Sequence, residues 1–233
     1  MGPAVKPRRG RRPRGSLTRQ QVVEAALELA DRDGLDALTM PTIARQLECG
    51  VMTLYGYIED KEDLLDAIAV RGLADLRLPR PLPSEPRAVL IAWGRAMRAT
   101  LLEHPSMPVI FLSRAVIGPG ILQGIEMLLG VLARSGVRPD AGLRAIYAVL
   151  IYATGFVAWE LPRTRNQSES TYAAQWRREF AGLPTDGFPI IAGIQDELPR
   201  VAGAEQFELG LEALVDGLGI RHLSSVRPKR RTR

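Results

Sequence analysis

Residues 38–68 read LTMPTIARQLECGVMTLYGYIEDKEDLLDAI, and this stretch decides the fold. Thr39 is a helix-capping residue type, and the apolar residues after it recur at the spacing of one helix face. The residues LECG, 47–50, interrupt that helix, a second short helix follows at about 51–57, and Asp60 caps a longer one. Two short helices joined by a tight turn predict a helix-turn-helix, whose later helix enters the major groove of DNA.

Lys61 is unusual for its position in this stretch. It stands at the head of a helix, where unpaired N–H groups and the positive end of the helix dipole already favour an anion. A lysine there is unfavourable unless an anion joins it. The short helix before it can bury little and is suited to presenting Thr53, Tyr55 and Tyr57. We therefore expect an anionic partner at this point.

A further helix precedes this stretch. Thr18 and Gln21 form the T-x-x-Q pattern of a capping box, and Gly34 suits a left-handed cap at the other end. The residues between them place an apolar stripe on one face, made of Val22, Val23, Ala26, Leu27 and Ala30. This helix can brace the two short ones.

The rest of the chain also has residues typical of helix starts and ends. Residues 78–86, LPRPLPSEP, contain four prolines and separate the N-terminal part from a larger one. The pattern after them predicts helices at about 86–103, 107–116, 120–135, 140–161, 172–181, 190–197 and 204–218, which end at Pro or Gly in several cases. No segment alternates as a strand does. The sequence therefore predicts an all-α protein in two parts.

Charge is distributed unevenly along the chain. The net charge is +5, but residues 1–19 carry seven Lys or Arg and residues 221–233 carry six, without an acid in either segment. The residues between them hold 18 bases and 26 acids, a net charge of −8. Two basic ends flank an acidic body, which indicates a polyanionic partner, either nucleic acid or a membrane surface.

The N-terminal basic segment, KPRRGRRPRG at 6–15, is a candidate DNA-binding arm. Arginines interleaved with Gly and Pro, such as Arg11, Arg12 and Arg14, cannot form a helix. They can lie extended in a narrow, A·T-rich minor groove, whose negative potential attracts guanidinium groups. The pattern resembles an AT-hook core with one extra arginine.

Several other function classes find no support in the residues. Cys49 is the single cysteine, and His104 and His222 are the two histidines, so we expect neither an intrachain disulfide nor a metal site. Catalytic and phosphate-binding signatures are lacking, so we expect no catalytic residue and no cofactor. The longest uncharged stretch, Ala145–Trp159, has 15 residues, which is short for a membrane span. We expect a cytoplasmic protein in which this stretch is a buried helix and no membrane is bound.

Residues 38–68 resemble the DNA-binding signature of the TetR (tetracycline repressor) family of bacterial transcriptional regulators. The resemblance implies that Thr39, Tyr55, Tyr57 and Lys61 contact DNA phosphates, and that Val51, Met52 and Thr53 contact bases. The anion that Lys61 needs would then be a backbone phosphate. The matching residues are Leu38, Thr39, Ile43, Ala44, Leu47, Leu54, Tyr55, Tyr57, Ile58, Lys61, Leu64 and Leu65.

The chain departs from the family pattern at Gly50, Gly56 and Tyr57. At the base-reading positions, Val51 and Met52 can pack on a thymine methyl but cannot make a bidentate hydrogen bond. Direct readout by this helix is therefore expected to be sparse, and the arm is a candidate source of the remaining specificity.

The C-terminal part is similar to the corresponding domain of the tetracycline repressors, through EQFELGLEALVDGLG at 205–219. This similarity implies an effector cavity lined by Trp93, Met97, Phe111, Leu128 and Tyr147. Phe111 stands where those repressors hold a metal-binding histidine, so we expect an apolar or aromatic effector instead of a metal-chelated tetracycline. Taken alone, large side chains of this kind can line a cavity or fill a core, and both alternatives stay open.

Two of the predicted helices, 140–161 and 204–218, are apolar on more than one face, which the surface of a monomer does not tolerate. Two copies of this pair predict a homodimer through a four-helix bundle, with the two reading helices roughly 34 to 40 Å apart. The residues that suit such packing are Gly142, Ala148, Ala153, Gly155, Phe207, Leu211, Leu214 and Leu218.

Together these features predict a ligand-responsive, DNA-binding transcriptional regulator that is not an enzyme, acting as a repressor that a small effector releases from a palindromic operator. The alternatives are a helical enzyme or carrier with a vestigial DNA-binding unit, and a non-specific nucleoid binder. The predicted organisation is a disordered basic arm at 1–16, a helix-turn-helix domain at 17–66, a helical ligand-binding and dimerisation domain at 67–222, and a disordered basic tail at 223–233.

Overall fold

The computed structural model describes residues 17–164, 169–181 and 187–219. All regular structure in these ranges is helical, so the predicted all-α class is confirmed. The chain divides into two compact units, of which the first ends at Ala74 and the second begins at Asp75. The predicted arm and tail lie outside the described residues.

The first unit contains four α-helices among its described residues. Three of them begin at the predicted caps, since side-chain oxygens of Thr18, Thr39 and Asp60 each accept a hydrogen bond from the backbone N–H three residues later. In chain order they are α1 (Arg19–Asp33), α2 (Met40–Gln46), α3 (Val51–Leu54) and α4 (Lys61–Leu73), with a 3₁₀ turn at Leu35–Ala37.

The core of the first unit is built from apolar side chains of all four helices. Each of these residues is at most 2% exposed: Val22, Ala26, Leu27, Ala30, Ile43, Leu54, Ile58, Leu64 and Ile68. Burying one large aliphatic side chain of this kind stabilises the fold by roughly 1.5–3 kcal/mol. The predicted stripe of α1 is confirmed, and α3 contributes Leu54 alone. The rest of α3 is left to face outward.

The second unit contains seven α-helices in its described part. They are α5 (Pro86–Glu103), α6 (Met107–Ser113), α7 (Pro119–Arg134), α8 (Pro139–Thr164), α9 (Glu169–Ala181), α10 (Pro189–Gly193) and α11 (Ala204–Gly217), with a 3₁₀ segment at Leu198–Ala202. The long helix α8 packs against α5, α6, α7 and α11. At Gly94 of α5 the packing is tight, because an added Cβ would lie 2.6 Å from Leu211 Cδ1.

A charged pair joins α5 to α8 inside this unit. Arg98 Nη2 lies 2.5 Å from Glu160 Oε1, and Arg98 Nε lies 3.1 Å from Glu160 Oε2. Glu160 is only 4% exposed, and the Arg98 guanidinium stacks 5.1 Å from the centre of the Phe207 ring of α11. Removing either charge would leave its partner buried and unpaired, which is strongly destabilising.

Several predicted helix ends are wrong. The reading helix ends at Leu54 instead of about 57, because residues 55–57 close a turn with bonds from Gly56 N to Thr53 O and from Tyr57 N to Leu54 O. The helix predicted at 107–116 ends at Ser113, whose hydroxyl donates to Ile110 O. The helix predicted at 190–197 ends at Gly193, and residues 194–197 form turns before the 3₁₀ segment begins.

Two further expectations need correction. Gly34 has the positive φ that favours glycine, 85°, but its ψ of 166° lies outside the left-handed helical region. Pro162 does not end α8, which continues to Thr164. Pro162 lies in the last turn of the helix, where its missing N–H costs one bond, to the Ala158 carbonyl. In the same turn Arg163 Nη1 donates to Trp159 O, and Thr164 Oγ1 donates to Glu160 O.

The helix α8 is long and apolar enough to cross a membrane by length and composition alone. It has 26 residues, whereas the uncharged stretch within it has 15. Core helices of soluble proteins meet the same criterion. Eight of its residues are buried within the unit, among them Glu160 with its partner Arg98. We therefore interpret α8 as a core helix, as predicted.

Candidate nucleic-acid interface

The turn between α2 and α3 fixes where the reading helix lies. Glu48 adopts a positive φ of 53°, and Cys49 N donates to Ala44 O over 2.9 Å, so the chain reverses within a few residues. Leu54 is fully buried and anchors α3 to the core. The sequence therefore places a very short helix after α2, with Met52 and Thr53 exposed.

Those side chains form an exposed apolar and aromatic surface. Met52 is 82% exposed and Tyr55 is 51% exposed, and Thr53 is exposed beside them. Val51 and Tyr57 are half-buried, so Tyr57 is less accessible than predicted. A large methionine left in water at the centre of a short helix suits contact with another molecule.

Arg19, at the start of α1, holds the loop between α3 and α4. Its Nε donates to the Tyr57 carbonyl over 3.1 Å, and its Nη2 pairs with Asp63 in the first turn of α4. Asp63 in turn accepts a hydrogen bond from Glu59 N, at 3.1 Å. Arg19 is not among the residues predicted from the sequence, because contacts across about forty positions leave no local pattern. A basic residue directly after a helix cap is the one available signal.

Lys61 is the first residue of α4, and its side chain is exposed. Asp60, the residue directly before Lys61, caps α4: its carboxylate accepts a hydrogen bond from Asp63 N at 2.8 Å. Thr39, the cap of α2, is also exposed. The structure thus brings an ammonium group to a helix N-terminus at the end of the loop that Arg19 holds.

Apart from its arm, the first unit is acidic. Residues 17–74 contain five Lys or Arg and eleven Asp or Glu, a net charge of −6. Residues 1–16 contain six Lys or Arg and no acid. Arg11, Arg12 and Arg14 lie outside the described residues, so their predicted DNA contacts stay predictions. Any favourable long-range attraction of this unit to DNA must come from the arm.

Comparison with known proteins identifies both units. Residues 22–68 match the family model of bacterial regulatory proteins of the tetR family, and residues 80–221 match that of the tetracyclin repressor-like C-terminal domain. The chain belongs to the TetR family. The first unit is therefore the family's helix-turn-helix DNA-binding domain, and the protein is a transcriptional regulator.

The relatives of this TetR-family protein agree along most of its length. It is 29% identical to the HTH-type transcriptional repressor DrrR1 of Streptomyces coeruleorubidus over 222 residues. The alignment covers 92% of this chain and 81% of DrrR1. It is 29% identical to the class D tetracycline repressor of Escherichia coli over 211 residues, 88% of this chain and 90% of that one. These relatives are named as regulators and not as enzymes.

A solved structure of similar fold is that of ActR, a TetR family protein of Streptomyces coelicolor, in complex with actinorhodin. The TM-score is 0.74 and the identity 26%, with 88% of this chain and 96% of that chain covered. The agreement extends through both units, as the two family models do.

The five predicted effector contacts of this TetR-family chain do not form one exposed site. Met97 and Leu128 are at most 1% exposed and fill the core, whereas Tyr147 is 45% exposed on α8. Trp93 and Phe111 are half-buried, and Trp93 Nε1 donates to Ile146 O over 3.2 Å. None of the five lines the cavity beside residues 76–84 or the cavity that adjoins it along α7. Their role in binding an effector stays a prediction.

Metal binding has no candidate in the described part of the chain, where no group of three or more His, Cys, Asp or Glu side chains is placed to hold an ion. Cys49 is half-buried.

Proposed function

We propose that this regulator is a repressor that binds a palindromic operator as a homodimer and leaves it when a small apolar or aromatic effector binds the second unit. The observation that carries the proposal is the exposure of Met52 and Thr53 on a helix that buries only Leu54, and of Tyr55 directly after it, in the segment that leads to Lys61 at the head of α4. Side chains in this arrangement serve recognition better than stability.

The DNA contacts divide by chemistry. We assign the hydroxyl groups of Thr39, Tyr55 and Tyr57 and the ammonium group of Lys61 to phosphates, which set the register of the complex. Val51, Met52 and Thr53 are assigned to bases, where the apolar side chains pack on thymine methyl groups. The arm supplies positive charge that the acidic first unit lacks, and we assign Arg11, Arg12 and Arg14 to a neighbouring minor groove.

Footprinting on the DNA upstream of the protein's own coding sequence tests the operator. We expect a protected palindrome whose half-sites lie about one helical turn or slightly more apart. Uniform coverage would instead support a non-specific nucleoid binder, and no protection at micromolar protein would support the carrier alternative.

The base-reading role of α3 is tested by Met52→Ala. We expect this variant to lose discrimination against thymine substitutions in the operator while binding non-specific DNA as the unchanged protein does. Ile190→Ala is a matched control, since Ile190 of α10 is 80% exposed, like Met52, but lies in the second unit. Equal loss of discrimination in both variants would remove the reading role from Met52.

The proposed dimer surface is a stripe of exposed residues along α8. Leu143, Tyr147, Ile151, Gly155 and Trp159 follow one another at intervals of four and are all exposed, with Ile151 at 67%. Leucines and aromatics spaced in this way on one helix face are unfavourable in water and favour a partner. We propose that a second copy covers this stripe.

On α11 the buried and exposed residues divide differently from the sequence interpretation. Phe207 and Leu211, predicted as dimer contacts, are at most 1% exposed and pack within their own chain, because α11 lies against α5 and α8. Gly142 likewise packs against Leu129 and Leu132 of α7. Leu209, which is 65% exposed, and Leu214, which is half-buried, are the α11 residues that we propose join the stripe.

Sedimentation velocity tests the dimer. Ile151→Glu introduces a charge at the centre of the stripe and is expected to give monomers at concentrations where the unchanged protein is dimeric. Ile190→Glu is the control, because it makes the same chemical change at a residue of similar exposure on α10. A dimer that survives Ile151→Glu would refute the assignment of this face.

The effector proposal rests on the core between α5, α7 and α8. Met97 and Leu128 are apolar and buried there, and Thr154 of α8 has a buried hydroxyl without a hydrogen-bond partner among the described residues. A buried hydroxyl usually finds a partner, so this group is available to an effector or a water molecule. An effector entering here has to displace core side chains, which is a direct route to a change of conformation.

A thermal-shift screen of apolar and aromatic compounds, followed by operator release, tests this proposal. For any compound that releases DNA, Met97→Ala and Leu128→Ala are expected to change its Kd at least tenfold. Tyr147→Ala is expected to weaken the dimer instead, because Tyr147 lies on the α8 stripe. Unchanged Kd values in the two core variants would place the effector elsewhere.

We also propose that the protein works in the cytoplasm, where its operator lies.

A further inference from the structure

The proline-rich segment at the start of the second unit forms one wall of a cavity in that unit. The cavity has a volume of about 690 Å³, within the range of sites that hold small organic ligands. Its other wall is the C-terminal half of α7. The lining residues are Leu76 to Ser84, Met127, Val131, Arg134 and Ser135.

This wall is held at both ends by polar contacts. Near its start, His104 Nε2 lies 3.1 Å from a carboxylate oxygen of Asp75. At its end, Ser135 Oγ donates to Ser84 O over 2.7 Å. The prolines between these points fix φ at about −65° and limit the conformations of the segment. The cavity is therefore built into the fold of this unit.

The lining combines an apolar interior with a cationic rim. Leucines and prolines of the segment face Met127 and Val131 of α7, and Met127 remains 46% exposed. Three guanidinium groups belong to the lining, those of Arg77, Arg80 and Arg134. Within the described ranges, none of these three groups is paired with a carboxylate.

A second cavity, of about 640 Å³, adjoins the first. Met127 and Arg134 line both cavities, and the Arg134 Nη1 lies 3.7 Å from where a Cβ on Gly130 would be. Leu122, which is 56% exposed, extends the apolar surface along α7. One acid, Glu126, lines this second cavity and leaves the combined rim with a net charge of +2. The two cavities thus offer a long apolar surface, with Arg134 where they meet and Arg77 and Arg80 in the first cavity.

We propose that this linker cavity binds an amphiphilic organic acid, whose apolar body lies against the leucines and Met127 and whose carboxylate meets the guanidinium groups of Arg80 and Arg134. Guanidinium matches a carboxylate in geometry and charge, and the apolar interior selects against small hydrophilic anions. The site is separate from the five predicted effector contacts, none of which lines it. The proposal therefore does not depend on the effector site proposed above.

Calorimetric titration of the full chain with sodium decanoate, below its micelle concentration, tests the proposal. We expect saturable binding of one decanoate per protomer and at least tenfold weaker binding of decanol, which has the same apolar body without the charge. The double variant Arg80→Gln and Arg134→Gln is expected to weaken decanoate binding at least tenfold, as loss of a charge-assisted hydrogen bond requires.

Two controls make the outcome decisive. Arg32→Gln removes a guanidinium group from the first unit, where Arg32 pairs with Asp33 at 2.8 Å, and should leave decanoate binding unchanged. Val131→Phe narrows the cavity without changing charge and should weaken decanoate and decanol alike. Equal affinities for decanoate and decanol, or equal affinities of the double variant and the unchanged protein, would overturn the proposal, as would binding that does not saturate.

Discussion

Replacing Lys61 by alanine separates the phosphate-binding role of this residue from every structural role. Lys61 is exposed at the first position of α4, beside the capping carboxylate of Asp60. Each protomer would lose one phosphate contact, so a dimer on a palindromic operator would lose two. The slope of log affinity against log salt changes by about 0.9 for each phosphate contact, and the expected flattening is therefore about 1.8.

This change in slope has a measurable consequence. Between 50 and 200 mM salt, the loss of affinity in Lys61→Ala should be about tenfold smaller than in the unchanged protein, as a slope change of about 1.8 over a fourfold salt range requires. Fluorescence anisotropy with a labelled operator at four or five salt concentrations measures it. The Tm of the free protein should not fall in Lys61→Ala, because the lysine removed is a cation at the positive end of the helix dipole.

Arg32→Ala is the matched control for this measurement. It removes one positive charge from the same unit, but Arg32 lies in the last turn of α1, at the other end of that helix from Arg19. Arg32 already pairs with Asp33, and its hydrogen bond lowers the pKa of the Asp33 carboxyl. The operator slope should therefore stay unchanged. If Lys61→Ala gives the same slope as Arg32→Ala, then Lys61 binds no phosphate and the interpretation of the α4 N-terminus is refuted.

Three further substitutions test the packing and the loop. Gly94→Ala should lower the free energy of unfolding by roughly 1–3 kcal/mol in chemical denaturation, because the added Cβ would lie 2.6 Å from Leu211 Cδ1. Gly124→Ala is the control, since its added Cβ would meet open space and should not lower the free energy of unfolding. Equal free energies of unfolding in the two variants would contradict this packing. Burial is the main cause that raises the pKa of Tyr152, and the charge of nearby Glu208 adds to it. The neutral phenol therefore contributes to stability fully below the ordinary tyrosine pKa of about 10, and this contribution is lost as the pH rises further. Tyr152→Phe should lose less stability than the unchanged protein between pH 9 and 11, roughly the window of that titration, and an identical pH profile would count against this. Arg19→Ala should weaken operator binding roughly three- to tenfold through the loop, in keeping with about 1 kcal/mol for a hydrogen bond, without flattening the salt slope; a flattened slope would show direct phosphate contact instead.

The parts of the fold that were predictable from sequence are those set by local chemistry. Thr18, Thr39 and Asp60 each cap a helix through a bond to a residue three positions away, so the pattern is visible in any short window. The match of residues 38–68 to the family likewise depends on spacing within thirty residues. These signals placed the start of α3 at Val51 and the start of α4 at Lys61, where the structure has them.

The features that sequence did not reveal depend on contacts between distant segments. Arg19 bonds the Tyr57 carbonyl, and its place after the Thr18 cap does not indicate that distant partner. On α11, both Phe207 and Leu209 are apolar, yet the first is buried and the second is 65% exposed, because packing against α5 and α8 decides between them. A helix with two apolar faces does not indicate which one its own chain covers.

The contact between Arg19 and the Tyr57 carbonyl also limits how far the N-terminal arginines can extend. Arg19 is held at the reading loop, and Arg11 precedes it by eight residues, which span at most about 29 Å when fully extended. That tether length equals about eight base pairs of duplex. Sequence preferences contributed by Arg11, Arg12 and Arg14 must therefore fall inside or immediately beside each half-site, and mutations farther out in the flanking DNA should be silent.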